Sequence, residues 1–245
     1  MPMTEALRRV AVVTGASRGI GLAVATRLAE DGYDVAACSR LCSDALSAVI
    51  ARYPGIRFFP FDLSEVDAVK ACGRALQNSY HRIDALVNVA GVAAGNLFAM
   101  TKIDDMKRVF DINYFHQILF TQFVVKKMVR AKAGAIVNIG SIAGLRADAG
   151  TLSYGGSKAA LMHATGVMAS ELGAFGIRVN AIAPAVVETE MAAQMSAEAK
   201  ADMNGRSALP GTVETGDVAN LVAFLISEAG GKMTGQVLRL DRGLH

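Results

Sequence analysis

Seven nearly continuous apolar runs of strand length, separated by stretches of helical spacing, constrain this chain more than any other feature. They are VAVVTG (10–15), YDVAACS (33–39), IRFFPFD (56–62), IDALVNVA (83–90), GAIVNIGS (134–141), GIRVNAIAP (176–184) and GQVLRLD (235–241). Segments 19–31, 43–52, 64–79, 102–132, 152–174 and 215–227 carry apolar residues at helical intervals. A strand with one wet face alternates polar and apolar residues. These runs do not alternate, so both faces of each strand are covered, as in a parallel sheet. Parallel neighbours need crossover connections, which the intervening helices provide. The expectation is an α/β fold, a doubly wound seven-stranded parallel sheet with helices on both faces. No linker, repeat or low-complexity stretch interrupts the 245 residues, so one domain is expected over 1–245.

Composition narrows the function classes. Hydrophobic residues make up 52% of the chain and charged residues 19%, which fits a deep interior and buried subunit contacts. A net charge of +3 is too mild to imply nucleic acid as a partner, and basic residues gather only at Lys126, Lys127, Arg130 and Lys132. The three cysteines, Cys38, Cys42 and Cys72, lack metal-ligand spacing and read as inert thiols in a reducing compartment. No metal site is expected. Arg8 and Arg9 precede an apolar run too short for a signal peptide or a membrane span, so a cytoplasmic protein without membrane contact is expected.

The first strand runs into Thr14-Gly15-Ala16-Ser17-Arg18-Gly19-Ile20-Gly21 and then a helix. Gly15 permits a tight turn, Gly19 lets a pyrophosphate approach the backbone, and Gly21 lets helix and strand pack closely. The helix N-terminus adds free N–H groups and partial positive charge. A glycine-rich turn alone is weak evidence; its place after the first strand makes it a dinucleotide loop in a Rossmann-type sheet. The second strand ends Cys38-Ser39-Arg40, with no acid to take a ribose 2′-hydroxyl. Arg40 and Arg18 together suit a 2′-phosphate, so NADP(H) is expected over NAD(H).

Further along, Ser141 lies thirteen residues before Tyr154-Gly155-Gly156-Ser157-Lys158. With TGASRGIG at 14–21, Asn113 in VFDINYF, Asp62 after the third strand and Asn88-Val89-Ala90-Gly91, these motifs resemble those of the short-chain dehydrogenases/reductases. The resemblance runs over nearly the whole chain, and within that family the chain is most similar to the 3-oxoacyl-(acyl-carrier-protein) reductase branch. It implies a catalytic set of Asn113, Ser141, Tyr154 and Lys158. It implies cofactor contacts from Gly15, Ser17, Arg18, Gly19, Ile20, Gly21, Arg40, Asp62, Leu63, Asn88, Ala90, Gly91, Tyr154, Lys158, Pro184, Val187 and Thr189.

The spacing is chemically sensible. Tyr154 and Lys158, four apart, share a helix face. An ammonium beside a phenol lowers its pKa from about 10, so Tyr154 is expected to protonate a carbonyl oxygen as hydride arrives at carbon. Ser141 stabilises the developing charge on that oxygen. As in the family, Lys158 also holds the nicotinamide ribose, and Asn113 anchors a water that relays protons. Gly155 and Gly156, unfavourable inside a helix by about 1 kcal/mol each, are read as leaving room beside Tyr154.

Three departures from the family pattern stand out: Val89 for a second Asn, Ala185 after Pro184 where Gly is usual, and Arg242 in Asp241-Arg242-Gly243. Segment 185–210, with Met191, Met195 and Met203, reads as a surface helix or, preferably, an adaptable lid over substrate. The expected reaction is NADPH-dependent reduction of a 3-oxoacyl thioester, borne by acyl carrier protein or coenzyme A. Alternatives are a free sugar, polyol, steroid or secondary-metabolite alcohol, and, more remotely, a non-catalytic dinucleotide-binding protein. A homotetramer is expected from the apolar faces of 102–132 and 152–174. The Lys126–Lys132 cluster is either a solvated helix end or one half of a carrier dock, with Phe175 where the branch tends to carry an arginine.

Overall fold

Strand β1 (Val10–Thr14) is buried along its whole length, as a strand covered on both faces must be. In the computed structural model, which describes residues 8–189 and 205–244, it lies inside a seven-stranded sheet ordered β3-β2-β1-β4-β5-β6-β7. The other strands are β2 (Asp34–Ser39), β3 (Ile56–Pro60), β4 (Ala85–Asn88), β5 (Gly134–Ile139), β6 (Ile177–Pro184) and β7 (Val237–Leu240). Every pairing is parallel. Each predicted run therefore contains a strand, trimmed by up to four residues at its ends.

Among the described residues seven α-helices cover the sheet: α1 (Gly19–Glu30), α2 (Asp44–Arg52), α3 (Val66–Ser79), α4 (Ile103–Phe110), α5 (His116–Ala131), α6 (Leu152–Leu172) and α7 (Thr215–Ile226). Successive strand residues feed opposite layers. Val13 and Val87 join Val24, Leu28, Val218 and Val222 on the α1/α7 side. Val12, Leu86 and Ile136 join Leu76, Phe120 and Met128 on the α3/α5 side. Local chemistry sets the boundaries: Ser43 caps α2 by accepting from the Leu46 N–H at 3.1 Å, and Glu214 with Asp217 forms a capping box on α7. The α5 chain ends at Lys132 in the left-handed region, φ +51.

One element departs from expectation. The helix anticipated over 102–132 is broken into α4, a π-helical turn at Asp111–Phe115, and α5. The cause lies in Asn113, whose amide accepts from the Val92 N–H at 2.9 Å and donates to the Val92 carbonyl at 2.8 Å. A regular turn would not aim both amide atoms at that loop; the wider π turn does. Of segment 185–210, residues 190–204 lie outside the described residues, including Met191, Met195 and Met203. Its described ends are tied down by bridges between Val187 and Val213 and between Ser207 and Leu244.

Candidate active site

The order in which successive strands are added reverses between β1 and β4, a switch point whose crevice lies at the strands' carboxyl ends. On the β1 side Gly15 stands at φ +69, and a Cβ there would lie 3.1 Å from the Ala90 backbone. Gly21 backs so tightly onto the same turn that a methyl group would run into the Gly15 carbonyl oxygen. This directs the N-terminus of α1 into the crevice. Its N-cap, Arg18, supplies no side-chain cap, so the first-turn N–H groups, Ile20 and Gly21 among them, retain their capacity for an anion.

The rim beyond is assembled from loops. The Ser43 hydroxyl donates to the Ser17 carbonyl at 2.6 Å, and the Ala16 N–H to Cys38 at 3.3 Å. Arg18 and Arg40 are thus exposed on two joined loops. Asp62 accepts from the Ser64 N–H at 2.9 Å and the Ser64 hydroxyl at 2.7 Å. The backbone bond leads in holding its carboxyl below the usual range, with a smaller contribution from Arg40, so Arg40 and Asp62 are neighbours. Leu63 is buried beside them. Pro184 at the end of β6 and Val187 beyond it are buried, and the Thr189 methyl sits 3.2 Å from where a Gly19 Cβ would be. The strand-end turns and the stretch after β6 therefore gather around the N-terminus of α1.

On the far side of the crevice, Ser141 caps the short 3₁₀ turn Ile142–Gly144 by accepting from the Ala143 N–H at 3.2 Å. The same hydroxyl is close enough to the Tyr154 phenol to lower its pKa. Lys158, one turn further along α6, is buried and donates from Nζ to the Ile139 carbonyl at 2.8 Å. Asn113 is fully buried and donates to the Ser157 hydroxyl at 3.1 Å as well as to Val92. Gly91 lies where these groups converge: its Cβ would stand 3.0 Å from Asn113 Oδ1 and 3.5 Å from Lys158 Nζ. All four residues singled out for chemistry thus come together, beside the groove.

Several details differ from the sequence reading. Burial raises the Tyr154 phenol above its ordinary value, offset in part by the Ser141 hydrogen bond; the lowering expected from Lys158 is absent. Lys158 is itself brought down to about 8, because burial penalises its ammonium. The Asn113 amide is engaged with Val92 and Ser157. Asn88 turns away from the groove, donating to Thr121 at 3.0 Å and Asn138 at 2.9 Å in a buried polar ladder. Gly155 does not make space beside Tyr154. A methyl there would strike the Ala143 carbonyl oxygen, so the glycine lets α6 dock against the Ser141 turn, while Gly156 faces Phe110.

Two contributors escaped the sequence reading. Thr14 accepts through its hydroxyl from the Val89 N–H at 2.9 Å and the Ala90 N–H at 3.1 Å, joining β1 to the loop after β4. Its position directly before Gly15 was the available signal. Ser157, seen only as a spacer in Tyr-x-x-x-Lys, is the partner of Asn113. Among the described residues no cluster of three or more His, Cys, Asp or Glu is arranged to hold a metal ion. Nor, among them, is any helix long and apolar enough to cross a membrane.

Comparison with known proteins supplies independent evidence. A family profile described as Enoyl-(Acyl carrier protein) reductase matches residues 15–245. The 3-oxoacyl-(acyl-carrier-protein) reductase FabG of Staphylococcus epidermidis is 34% identical over 243 residues, covering 98% of this chain and 100% of that protein. Among solved structures, a short-chain dehydrogenase from Burkholderia cenocepacia in complex with NADP is 33% identical with TM-score 0.87, covering 97% of both chains. A 7 alpha-hydroxysteroid dehydrogenase complexed with NADH and 7-oxo glycochenodeoxycholic acid is 28% identical with TM-score 0.90, covering 96% of this chain and 93% of that one.

Proposed function

The chain belongs to the short-chain dehydrogenase/reductase family, an oxidoreductase of carbonyl compounds with a nicotinamide dinucleotide cofactor, and from that premise we propose that it reduces a 3-oxoacyl thioester to the 3-hydroxyacyl thioester with NADPH. The observation that carries this reading is the Ser141–Tyr154 hydroxyl pair beside a buried Lys158. A phenol raised by burial stays protonated at neutral pH, as a proton donor to a carbonyl oxygen should. The Ser141 hydroxyl, held by the Ala143 N–H, is placed to bond the same oxygen. Lys158 keeps a cation near the phenol as its proton leaves and is suited to hold the ribose. Asn113 fixes Val92 and Ser157 around them.

The groove fits the cofactor on this structure's own evidence: the tight Gly15–Gly21 turn, the uncapped N-terminus of α1, and Arg18 and Arg40 on joined loops. In our reading α1 takes the pyrophosphate, Arg18 and Arg40 the 2′-phosphate, and Asp62 and Leu63 border the adenine. Gly91, Pro184, Val187 and Thr189 flank the nicotinamide half. NADPH supplies the hydride when bound. Tyr154→Phe tests the assignment: turnover of a short 3-oxoacyl thioester should fall by about 10²–10⁴-fold, with NADPH affinity within twofold. A variant that keeps near-normal kcat refutes it.

The thioester choice draws on the FabG relatives; the hydroxysteroid dehydrogenase neighbour favours, as second reading, a bulky free ketone. A substrate panel separates them. We further propose a homotetramer, since Phe115 and Val167 on α5-side and α6 surfaces remain exposed while Phe120 and Leu161 are buried within the protomer; a monomer by light scattering refutes it. For a carrier-borne substrate, the basic end of α5 that carries Lys126, Lys127, Arg130 and Lys132 adjoins the turn carrying Phe175, because Gly176 lies directly against the Lys132 carbonyl. This junction is at the amino ends of β5 and β6, so a carrier there is separated from Tyr154 by the length of a strand, about 20 Å. Its prosthetic arm must span that length or serve a neighbouring protomer. Loss of any carrier advantage in kcat/KM on Lys126→Glu/Lys127→Glu is the expected sign of docking.

A further inference from the structure

His116 opens α5 directly after the π turn, and its Nδ1 lies 2.6 Å from the Leu63 carbonyl oxygen. A carbonyl only accepts, so Nδ1 carries the proton of this bond. One turn further along the same face, Phe120 packs on Phe61 with ring centroids 4.5 Å apart and the rings tilted by 43°. This face of α5 therefore grips Phe61–Leu63 from below. The gripped segment carries Asp62 and is joined to the end of β2 by the Phe61 N–H, which donates to the Ser39 carbonyl at 3.0 Å. It is the wall next to Arg40. On the other side of the same turn, Asn113 holds Val92 near Lys158. A π turn carries one residue more than an α turn, which rotates everything after it by about 100°. The irregularity that seats Asn113 thus also aims His116 at Leu63.

We infer that His116 is a positioning residue for the adenosine end of the cofactor: its bond to the Leu63 carbonyl holds the Asp62–Leu63 wall in place. This rests on the reading above that this rim receives the adenosine 2′-phosphate half of NADPH. Removing the imidazole leaves a half-buried carbonyl without its donor, and the wall is free to shift away from the groove. The nicotinamide end keeps its own supports, since Lys158 is anchored on Ile139 and Ser141 on Ala143.

The test measures binding of 5′-ADP and 2′,5′-ADP by calorimetry in the full-length wild type, His116→Ala, His116→Asn and His116→Gln. It is paired with kcat at saturating NADPH and with kcat/KM for reduced nicotinamide mononucleotide, which has no adenosine half. His116→Ala should weaken both adenosine ligands by about three- to tenfold. Asn presents an N–H where Nδ1 does and should restore binding to within twofold; Gln, whose amide reaches past it, should resemble Ala. Saturated kcat and the mononucleotide kcat/KM should stay within twofold in every variant. Unchanged ADP binding in both Ala and Gln variants overturns the inference, and so does an equal loss with the mononucleotide, which marks a general loss of structure. A wild type that binds 5′-ADP as tightly as 2′,5′-ADP would refute the NADPH reading instead, leaving the role of His116 to be decided by the variants' shared loss.

Discussion

Gly144 closes the 3₁₀ turn that Ser141 caps, and a Cβ on it would stand 2.7 Å from the Ala159 nitrogen, 2.7 Å from Met162 Cε and 3.0 Å from the Lys158 carbonyl carbon. The methionine end can swing aside; the α6 backbone cannot. Carbon contacts settle at about 3.5 Å, so Gly144→Ala must drive the turn away from α6 by about 0.8 Å. The displaced turn carries Ser141, whose hydroxyl meets Tyr154 across this seam. A misplacement near 1 Å costs catalysis up to about 10²-fold, so kcat on a short 3-oxoacyl thioester should fall about 30- to 100-fold. Overpacking costs about 1–3 kcal/mol, and losing glycine's freedom in the unfolded chain returns about 0.4–1 kcal/mol. The melting temperature should therefore drop by only a few degrees. Gly216→Ala is the matched control: nothing lies within 4 Å of its Cβ, it is in the first turn of α7, and it should leave kcat unchanged with equal or higher stability. If Gly144→Ala keeps kcat within twofold, the seam does not position Ser141 and the reasoning fails.

Arg40→Asp should invert the NADPH-over-NADH preference in kcat/KM, since it removes a charged hydrogen bond of about 1.5–3 kcal/mol and adds repulsion; an unchanged ratio would remove Arg40 from cofactor choice. Lys158→Met should abolish turnover yet stabilise the fold at pH 7 by up to about 3 kcal/mol, less about 1 kcal/mol for the Ile139 carbonyl left without a donor. Burial holds the ammonium at about 8 against 10.5 for an ordinary lysine, so the wild type carries the full burden below pH 8 and sheds it between pH 8 and 10.5. The variant's advantage in denaturant unfolding should accordingly shrink as pH rises through that window; an advantage independent of pH contradicts the buried-charge account. Lys132→Gly should raise the melting temperature by about 2–4 °C, because φ +51 at the end of α5 strains any side chain by about 1 kcal/mol; no gain would mean that the lysine makes compensating contacts.

The fold was legible because burial on both faces writes itself into the chain as unbroken apolar runs, and one such run marks each of the seven strands. The glycine turn was legible for a similar reason, since Gly15 and Gly21 sit where geometry admits nothing larger. What stayed hidden was whatever depends on a distant backbone partner. Segment 102–132 has one helical periodicity, and the break at Asp111–Phe115 is set by Val92, a residue from another loop. Gly155 looks like free space in sequence, yet the Ala143 carbonyl fills it. The Tyr154 shift went the other way from expectation because spacing reveals that Lys158 is near, not that it is buried and turned to Ile139.

These hidden partners also explain why the three departures from the family pattern coexist with an assembled site. Three of the four side chains proposed for catalysis are held by main chain: Lys158 by the Ile139 carbonyl, Asn113 by both polar atoms of Val92, Ser141 by the Ala143 N–H. The loop after β4 is fastened through the Val89 and Ala90 N–H groups to Thr14, a bond indifferent to the side chain at 89, and the valine packs against the core instead. Ala185 is likewise fixed by its N–H on Leu240 at 3.0 Å, with its methyl against that core. Arg242 occupies a left-handed position at φ +58, which disfavours a side chain, but its guanidinium donates to the Leu209 carbonyl at 2.8 Å and offsets the strain. At Val89 and Ala185 the side chain changes while the loop hangs on a main-chain N–H that every residue but proline supplies. The same logic locates the sensitive positions elsewhere: glycines such as Gly144 and Gly155, where an added Cβ moves the backbone itself.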